Sequence, residues 1–270
     1  MKRLSIQVKR HLKHVLLVVM ASGCATSSSF SVASDAIGAQ DIISDPPSTI
    51  LVTGANRGIG LALARTFHQH GVAVIATARK PKEAHELKTM GVEVLPLDIT
   101  DPTSIAALKS ELAGRPIDIL LNNAGIKGHN TATLDDLDIE QLKTTFDVNS
   151  FGALRVIQAL MPNLKIGSQK TVVNMSSRMG SIADNSGGAV GYRASKGALN
   201  NFNKSLSIEF SEQGFIFVVL HPGWVRTDMT SDRATYSTDE SAEALFRVIT
   251  TLSQSDNGRF YDLHGGSIAW

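Results

Sequence analysis

Cysteine is almost absent from this chain, since Cys24 is the only one among 270 residues. A single cysteine excludes an intrachain disulfide, so the fold must be held by packing alone. A strong charge of either sign is also missing, because the formal net charge is +1. Nucleic-acid-binding domains usually carry a basic excess, and we therefore predict no nucleic-acid partner. We also predict no metal site.

The basic residues at the start of the chain form a local cluster. Residues 1–14 contain no Asp or Glu but contain five of the 26 basic residues: Lys2, Arg3, Lys9, Arg10 and Lys13. An apolar run over 15–20 follows, and small residues at 21–23 precede Cys24. Residues 1–24 therefore resemble a secretory signal or a bacterial lipoprotein processing site, and the apolar run is too short to span a bilayer as a helix.

Other interpretations of residues 1–24 stay open. Ala21 stands where leucine is more usual in lipoprotein signals, and an unstructured extension or a true start at Met20 would give the same pattern. Export would attach the protein to a membrane through a lipid on Cys24. A cytoplasmic location is the preferred expectation.

A flexible linker is predicted over 25–48, which is rich in Ser and Ala and ends in Asp45-Pro46-Pro47. The folded domain is predicted over 49–270. Within it, short apolar runs indicate strands at 50–52, 72–76, 92–95, 117–121, 171–175 and 215–220, with a seventh at 259–261. Helical stretches lie between them at 61–70, 102–113, 139–160 and 193–211. We expect one α/β domain with a doubly wound, mostly parallel sheet and ligands at the carboxyl ends of its strands.

A glycine-rich segment follows the first predicted strand and opens a helix. It has the spacing Gly-x-x-x-Gly-x-Gly and supplies Gly54, Asn56, Arg57, Gly58, Ile59 and Gly60. Glycines at this place let the backbone approach a pyrophosphate, and the helix N-terminus offers free N–H groups. Together with the motifs below, this spacing resembles the short-chain dehydrogenase/reductase family.

The resemblance extends from about residue 50 to the end of the chain. It implies that Asp98, after the third strand, contacts adenine, and that Asn123-Ala124-Gly125, after the fourth, contact the cofactor. It also implies that Pro222, Gly223, Val225 and Thr227, after the sixth strand, line the nicotinamide and its phosphate. Residues 179–193 and the C-terminal segment resemble the branch of sniffer-type carbonyl reductases and C-factor signalling proteins.

The end of the second strand bears on cofactor choice. NAD-selective sites place a carboxylate there for the ribose 2′-hydroxyl, but this strand runs into Arg79 and Lys80. Because Arg57 and Arg79 could pair with a 2′-phosphate, we predict a preference for NADP(H), with NAD(H) left open.

Tyr192 and Lys196 are the predicted acid/base pair, because i, i+4 spacing places both on one helix face. A nearby ammonium is expected to lower the pKa of Tyr192, and the family lysine also binds the nicotinamide ribose. Ser177 is predicted to polarise the substrate carbonyl, with Ser176 as the alternative. Asn149, predicted in mid-helix, matches the asparagine that holds a proton-relay water in the family.

The sequence thus predicts an NADP(H)-dependent oxidoreductase that interconverts a small-molecule carbonyl and alcohol. The alternative is a dinucleotide-binding signalling or sensor protein of the C-factor type with incidental turnover. Helix pairing between subunits is common in the family, and the sequence does not distinguish a monomer from a homo-oligomer.

Overall fold

The computed structural model describes residues 49–128 and 134–270. The predicted signal at 1–24 and the predicted linker at 25–48 lie outside the described residues. Seven strands form one sheet, and every pairing within it is parallel. The strands are β1 (Thr49–Val52), β2 (Ala73–Ala78), β3 (Glu93–Pro96), β4 (Ile119–Asn122), β5 (Thr171–Met175), β6 (Ile216–His221) and β7 (Phe260–Asp262).

Seven α-helices connect these strands or follow them. They are α1 (Gly58–Gln69), α2 (His85–Thr89), α3 (Pro102–Glu111), α4 (Ile139–Phe146), α5 (Ala153–Ile166), α6 (Val190–Glu209) and α7 (Thr238–Thr250). In the described part of the chain, no helix is both long and apolar enough to cross a membrane.

The strand order is β3-β2-β1-β4-β5-β6-β7. The chain moves outward from β1 to β3, then returns to place β4 on the other side of β1. A crevice for ligands opens at such a switch point, beyond the carboxyl ends of the strands. The predicted doubly wound fold is therefore confirmed.

The core has two layers because successive strand residues point to opposite faces of the sheet. Ile50 and Val52 of β1 pack in one cluster with Phe67 of α1 and Phe246 of α7. Leu51, between them, packs in the other cluster, which includes residues of α3 and α5. All of the strand residues in β1 after Thr49 are buried, as expected for a sheet covered by helices on both faces.

The predicted helix over 139–160 is interrupted. A π-helical segment, Asp147–Gly152, lies between α4 and α5, and α5 continues to Ile166. Such wide turns are often found at functional sites. This one contains Asn149, whose side chain is buried.

Candidate active site

A cavity of about 460 Å³ lies at the carboxyl ends of the strands. Its wall includes most of the predicted cofactor residues: Gly54, Asn56, Arg57, Gly58, Ile59, Gly60, Arg79, Asp98, Asn123, Ala124, Gly125, Tyr192, Lys196, Pro222 and Thr227. These residues come from loops after five different strands, from the start of α1 and from α6. The sequence motifs are therefore brought together around one space.

Two predicted cofactor residues do not reach this wall. Gly223 lies against Tyr236, because a Cβ at Gly223 would be 2.8 Å from Cδ2 of that ring. Val225 is buried and forms an isolated β-bridge with Tyr236. The segment between β6 and α7 also contributes Arg226, Asp228 and Met229 to the cavity, three residues that were not predicted to bind the cofactor.

The glycine-rich turn fits a dinucleotide phosphate. Arg57 caps α1 without a side-chain hydrogen bond to the first turn, and both Arg57 and Gly58 line the cavity. The unpaired N–H groups at the start of this twelve-residue helix are thus available to an anion. At Gly60 a Cβ would collide with Nδ2 of Asn123 and the carbonyl oxygen of Gly54, so only glycine allows this close packing.

Thr53 and Asn123 hold the phosphate-binding turn in place through hydrogen bonds. The Thr53 hydroxyl accepts hydrogen bonds from the backbone N–H groups of Asn123, at 3.0 Å, and Ala124, at 3.1 Å. The Asn123 side chain donates in return to the carbonyl oxygens of Thr53 and Gly54, at 3.0 and 3.2 Å. The ends of β1 and β4 are therefore held together. Thr53 could have been selected from the sequence as the polar residue that directly follows a buried strand.

Asp98 and Arg79 lie at the end of the cavity formed by β2 and β3. Hydrogen bonds from the Thr100 hydroxyl and backbone hold the pKa of Asp98 below its usual value, and Arg79 lowers it further. Asp98 is therefore an anionic acceptor at neutral pH. Arg79 is exposed at the end of β2, and the neighbouring Lys80 forms an ion pair with Glu83.

Tyr192 and Lys196 lie one turn apart on α6, as predicted. The side chains of Tyr192 and Ser177 lie near each other. Burial raises the pKa of Tyr192 above its ordinary value, although the nearby Ser177 hydroxyl acts in the opposite direction. The prediction that Lys196 lowers the pKa of Tyr192 is therefore wrong for this structure, because the effect of burial dominates. Tyr192 is protonated at neutral pH.

Lys196 is buried, and its ammonium group donates a 2.9 Å hydrogen bond to the carbonyl oxygen of Met175. Burial lowers the pKa of Lys196 to about 8. Since that value is above neutral, most Lys196 side chains are cationic at pH 7 and can hold a polar ligand at the cavity wall.

Asn149 lies beside Lys196. A methyl group placed on Gly125 would be 3.2 Å from Oδ1 of Asn149 and 3.5 Å from Nζ of Lys196, so both side chains border Gly125. The Asn149 amide accepts from the Ile126 N–H at 2.8 Å and donates to the Ile126 carbonyl at 2.9 Å.

Asn149 also donates to the Ser195 hydroxyl, at 3.1 Å. That hydroxyl donates to the Tyr192 carbonyl oxygen at 2.8 Å, which connects the π-helical segment to the start of α6. Ser195 was not selected from the sequence. The sequence signal for Ser195 was its position between Tyr192 and Lys196, on the inward-facing part of the same helix.

The two serines after β5 have different partners. The Ser176 hydroxyl donates to Oδ1 of Asn200 at 2.7 Å and is buried. The Ser177 hydroxyl accepts from the Met179 N–H at 3.2 Å and meets Tyr192. Ser176 thus lines the cavity, and Ser177 has the hydroxyl nearer to the tyrosine.

Comparison with known proteins agrees with this geometry. The family model described as short chain dehydrogenase matches residues 48–237. C-signal of Myxococcus xanthus is 42% identical over 165 residues, which cover 61% of this chain and 99% of that protein. A 1-hydroxy-2-glutathionyl-2-methyl-3-butene dehydrogenase of Rhodococcus sp. (strain AD45) is 34% identical over 231 residues, covering 83% of this chain and 100% of the relative.

Solved structures of similar proteins have the same fold. The NADPH-bound carbonyl reductase from chicken fatty liver is 34% identical, with a TM-score of 0.76, and the match covers 83% of this chain and all of that one. Carbonyl reductase Sniffer of D. melanogaster is 30% identical, with a TM-score of 0.78 and the same coverage. The chain therefore belongs to the short-chain dehydrogenase family and is an oxidoreductase.

Proposed function

We propose that this protein uses NADP(H) to reduce the carbonyl group of a small aldehyde or ketone to an alcohol, or to catalyse the reverse reaction. The observation that carries the proposal is Tyr192 in the wall of the cavity, with the Ser177 hydroxyl near it and Lys196 one helical turn away. The similar carbonyl reductase from chicken fatty liver binds NADPH, which supports the cofactor.

In this proposal the cofactor, when bound, supplies the hydride. The Ser177 hydroxyl donates a hydrogen bond to the substrate carbonyl oxygen and stabilises the negative charge that develops there. The Tyr192 phenol gives its proton to the same oxygen. A raised pKa suits this role, because an acid must carry its proton when the substrate arrives.

Lys196 and Asn149 support the proton donor. In the protonated form, Lys196 stabilises the phenolate that remains after proton transfer, and it holds the nicotinamide ribose. Asn149 joins the segment after β4 to the start of α6 through its bonds to Ile126 and Ser195, and we assign it the proton-relay role of the family asparagine.

Preference for NADP(H) over NAD(H) is assigned to Arg57 and Arg79. Both arginines line the cavity, and the residue directly after β2 is Arg79 rather than the carboxylate of an NAD-selective site. An exposed arginine forms bidentate hydrogen bonds with phosphate readily.

The substrate site is proposed to be permissive. We assign the substrate lid to residues 230–239, a short and polar segment in which Tyr236 is the only aromatic residue. The Tyr236 ring packs on Gly223, and its hydroxyl lies 3.3 Å from Nε2 of His264.

A panel of aldehydes and ketones, with NADPH consumption followed at 340 nm, tests the proposed function. Turnover of at least one carbonyl that is faster with NADPH than with NADH supports it. The similarity to C-signal is the reason to consider a second function, that of a dinucleotide-binding signalling protein. A folded protein that binds NADPH tightly and reduces nothing in the panel would favour that second function.

We further propose that the catalytic domain acts in the cytoplasm. A freely exchanging NADPH enzyme needs a supply of reduced cofactor, and the cytoplasm provides it. The alternative is export, with a lipid on Cys24 that anchors the protein to a membrane. The choice between the two locations depends on residues outside the described part of the chain.

A further inference from the structure

The inner face of α6 continues beyond Tyr192 and Lys196. Because residues four apart share one face of a helix, Asn200 lies one turn further along the face that carries this pair. The Asn200 side chain is 3% exposed, so its amide has to find hydrogen-bond partners within the protein. A buried amide on the catalytic face of α6 is not explained by helix propensity, which is low for asparagine.

Asn200 bonds to both ends of the turn that carries Ser177. Its Oδ1 accepts from the Ser176 hydroxyl at 2.7 Å, and its Nδ2 donates to the Gly180 carbonyl oxygen at 3.1 Å. Ser177 lies between these two points. The same turn is closed by a 2.8 Å hydrogen bond from the Gly180 N–H to the Ser177 carbonyl oxygen.

The turn is also pressed closely against α6. A Cβ on Gly180 would lie 2.9 Å from the backbone carbon of Lys196 and 3.0 Å from Nδ2 of Asn200. The turn therefore contacts the backbone of α6 at Lys196. One helical turn further along, Asn200 holds the turn against the same helix through its hydrogen bond to Gly180. The contact thus keeps the Ser177 hydroxyl near the Tyr192 phenol.

We infer that Asn200 is a positioning residue, which clamps the Ser176–Gly180 turn to α6 and so places the Ser177 hydroxyl opposite Tyr192. The inference rests on the proposed function, because it assigns Asn200 a role in carbonyl polarisation by Ser177. Without the clamp, Ser176 and Gly180 lose their shared partner and the turn is free to shift from the helix.

Asn203 offers a matched control on the same helix. It is also buried, and it also bridges a side chain and a backbone carbonyl: Nδ2 of Asn174 donates to it at 2.9 Å, and it donates to the Phe217 oxygen at 3.3 Å. These partners lie within β5 and β6 and are not part of the Ser176–Gly180 turn. Asn200→Leu and Asn203→Leu thus remove equivalent hydrogen bonds, but only the first releases the turn.

The test compares the two variants by kcat, by the dissociation constant for NADPH and by thermal unfolding. We expect both to lose similar stability and to keep the affinity for NADPH. The kcat of Asn200→Leu should fall at least about ten-fold, since a misplacement of 1 Å can cost about 10²-fold. Asn203→Leu should keep a kcat close to that of the wild type. Equal kcat values in the two variants would overturn the inference.

A milder variant covers the case in which Asn200→Leu does not fold. Ser176→Ala removes one of the two clamp bonds and leaves Asn200 bonded to Gly180, so a smaller fall in kcat, about three-fold, is expected. An unchanged kcat in Ser176→Ala, with Asn200→Leu unfolded, would overturn the inference.

Failure of the proposed function is separable from failure of this inference. If the wild type reduces no carbonyl, the proposed function fails, and crystal structures of the wild type and of Ser176→Ala or Asn200→Leu decide the role of Asn200. A separation between Oγ of Ser177 and the Tyr192 hydroxyl that grows by about 1 Å supports the clamp. An unchanged separation overturns it.

Discussion

Arg57 and Asp228 form an ion pair that joins the glycine-rich turn to the segment after β6. Both residues line the cavity, and their side chains are 58% and 79% exposed. Because an exposed pair contributes at most about 1 kcal/mol, it opens at little cost. Arg57 can therefore exchange Asp228 for a phosphate group of the cofactor.

The first prediction concerns the preference between the two nicotinamide cofactors. Replacing both Arg57 and Arg79 with alanine should weaken NADPH binding by more than ten-fold, at about 1.4 kcal/mol for each factor of ten. NADH binding should change much less, because NADH has no 2′-phosphate. Dissociation constants from cofactor fluorescence measure both effects.

Asp228→Asn is the control of opposite sign. It frees Arg57 from its ion pair, so NADPH should bind about two- to five-fold more tightly, with NADH unchanged. If the double arginine variant loses affinity for NADPH and NADH by the same factor, the arginines have a structural role only.

The second prediction tests the phosphate cradle. Gly60→Ala should weaken NADPH binding at least ten-fold and lower the free energy of unfolding by about 1–3 kcal/mol, because the new methyl group collides with Asn123 and the Gly54 carbonyl. Gly197→Ala, within α6, is the control. Its nearest contact would be an ordinary 3.4 Å to the Gly180 oxygen, so binding and stability should be retained. Normal NADPH affinity in Gly60→Ala would contradict the cradle.

The third prediction concerns pH and His221. Burial, aided by Arg178, lowers the pKa of His221 to about 4, although Asp262 opposes the shift. A histidine whose folded pKa is lowered stabilises the fold above its unfolded pKa of about 6.5, and this stability is lost as pH falls towards 4. Between pH 7 and pH 4 the wild type should lose about 2–3 kcal/mol more than His221→Gln.

Urea unfolding of both proteins at the two pH values measures this difference. The carboxylates with lowered pKa values, such as Asp98 and Asp256, also lose stability in acid, but they do so equally in both proteins. Parallel losses in the wild type and in His221→Gln would show that His221 is not buried in its neutral form.

Much of the fold was predictable from the sequence because the strands are buried on both faces and read as short apolar runs. β1, β5 and β6 lie within one residue of their predicted positions. The interruption at Asp147–Gly152 was not predictable, since a π-helical turn depends on how α4 and α5 pack rather than on local propensity. Asn149 was selected from a motif, but its bonds to Ile126 and Ser195 needed the three-dimensional arrangement.

The site shows the same division between local and tertiary information. Tyr192 and Lys196 are four residues apart, so their common helix face follows from spacing alone. The pKa of Tyr192 does not, because it depends on burial by residues distant in the chain. Asn200 lies on the same face at the same spacing, yet only its contacts with Ser176 and Gly180 reveal a role.

The fourth prediction concerns the segment before the domain. A chain beginning at Asp45 should fold and reduce carbonyls with the kcat/KM of the full chain, because β1 begins at Thr49. Cell fractionation of the full chain and of Cys24→Ala locates the native protein. Membrane-bound wild type, with processing and anchoring blocked in Cys24→Ala, would contradict the cytoplasmic location.

The central claim, that Tyr192 protonates the substrate oxygen, is tested most directly by the kcat of Tyr192→Phe. The change removes the acidic proton and keeps the ring, so kcat should fall at least ~10²-fold while NADPH binds as before. Tyr261→Phe, in β7, is the matched control; its hydroxyl donates to Asp256 at 2.8 Å, and its loss should leave kcat near that of the wild type. A near-normal kcat in Tyr192→Phe would contradict the account.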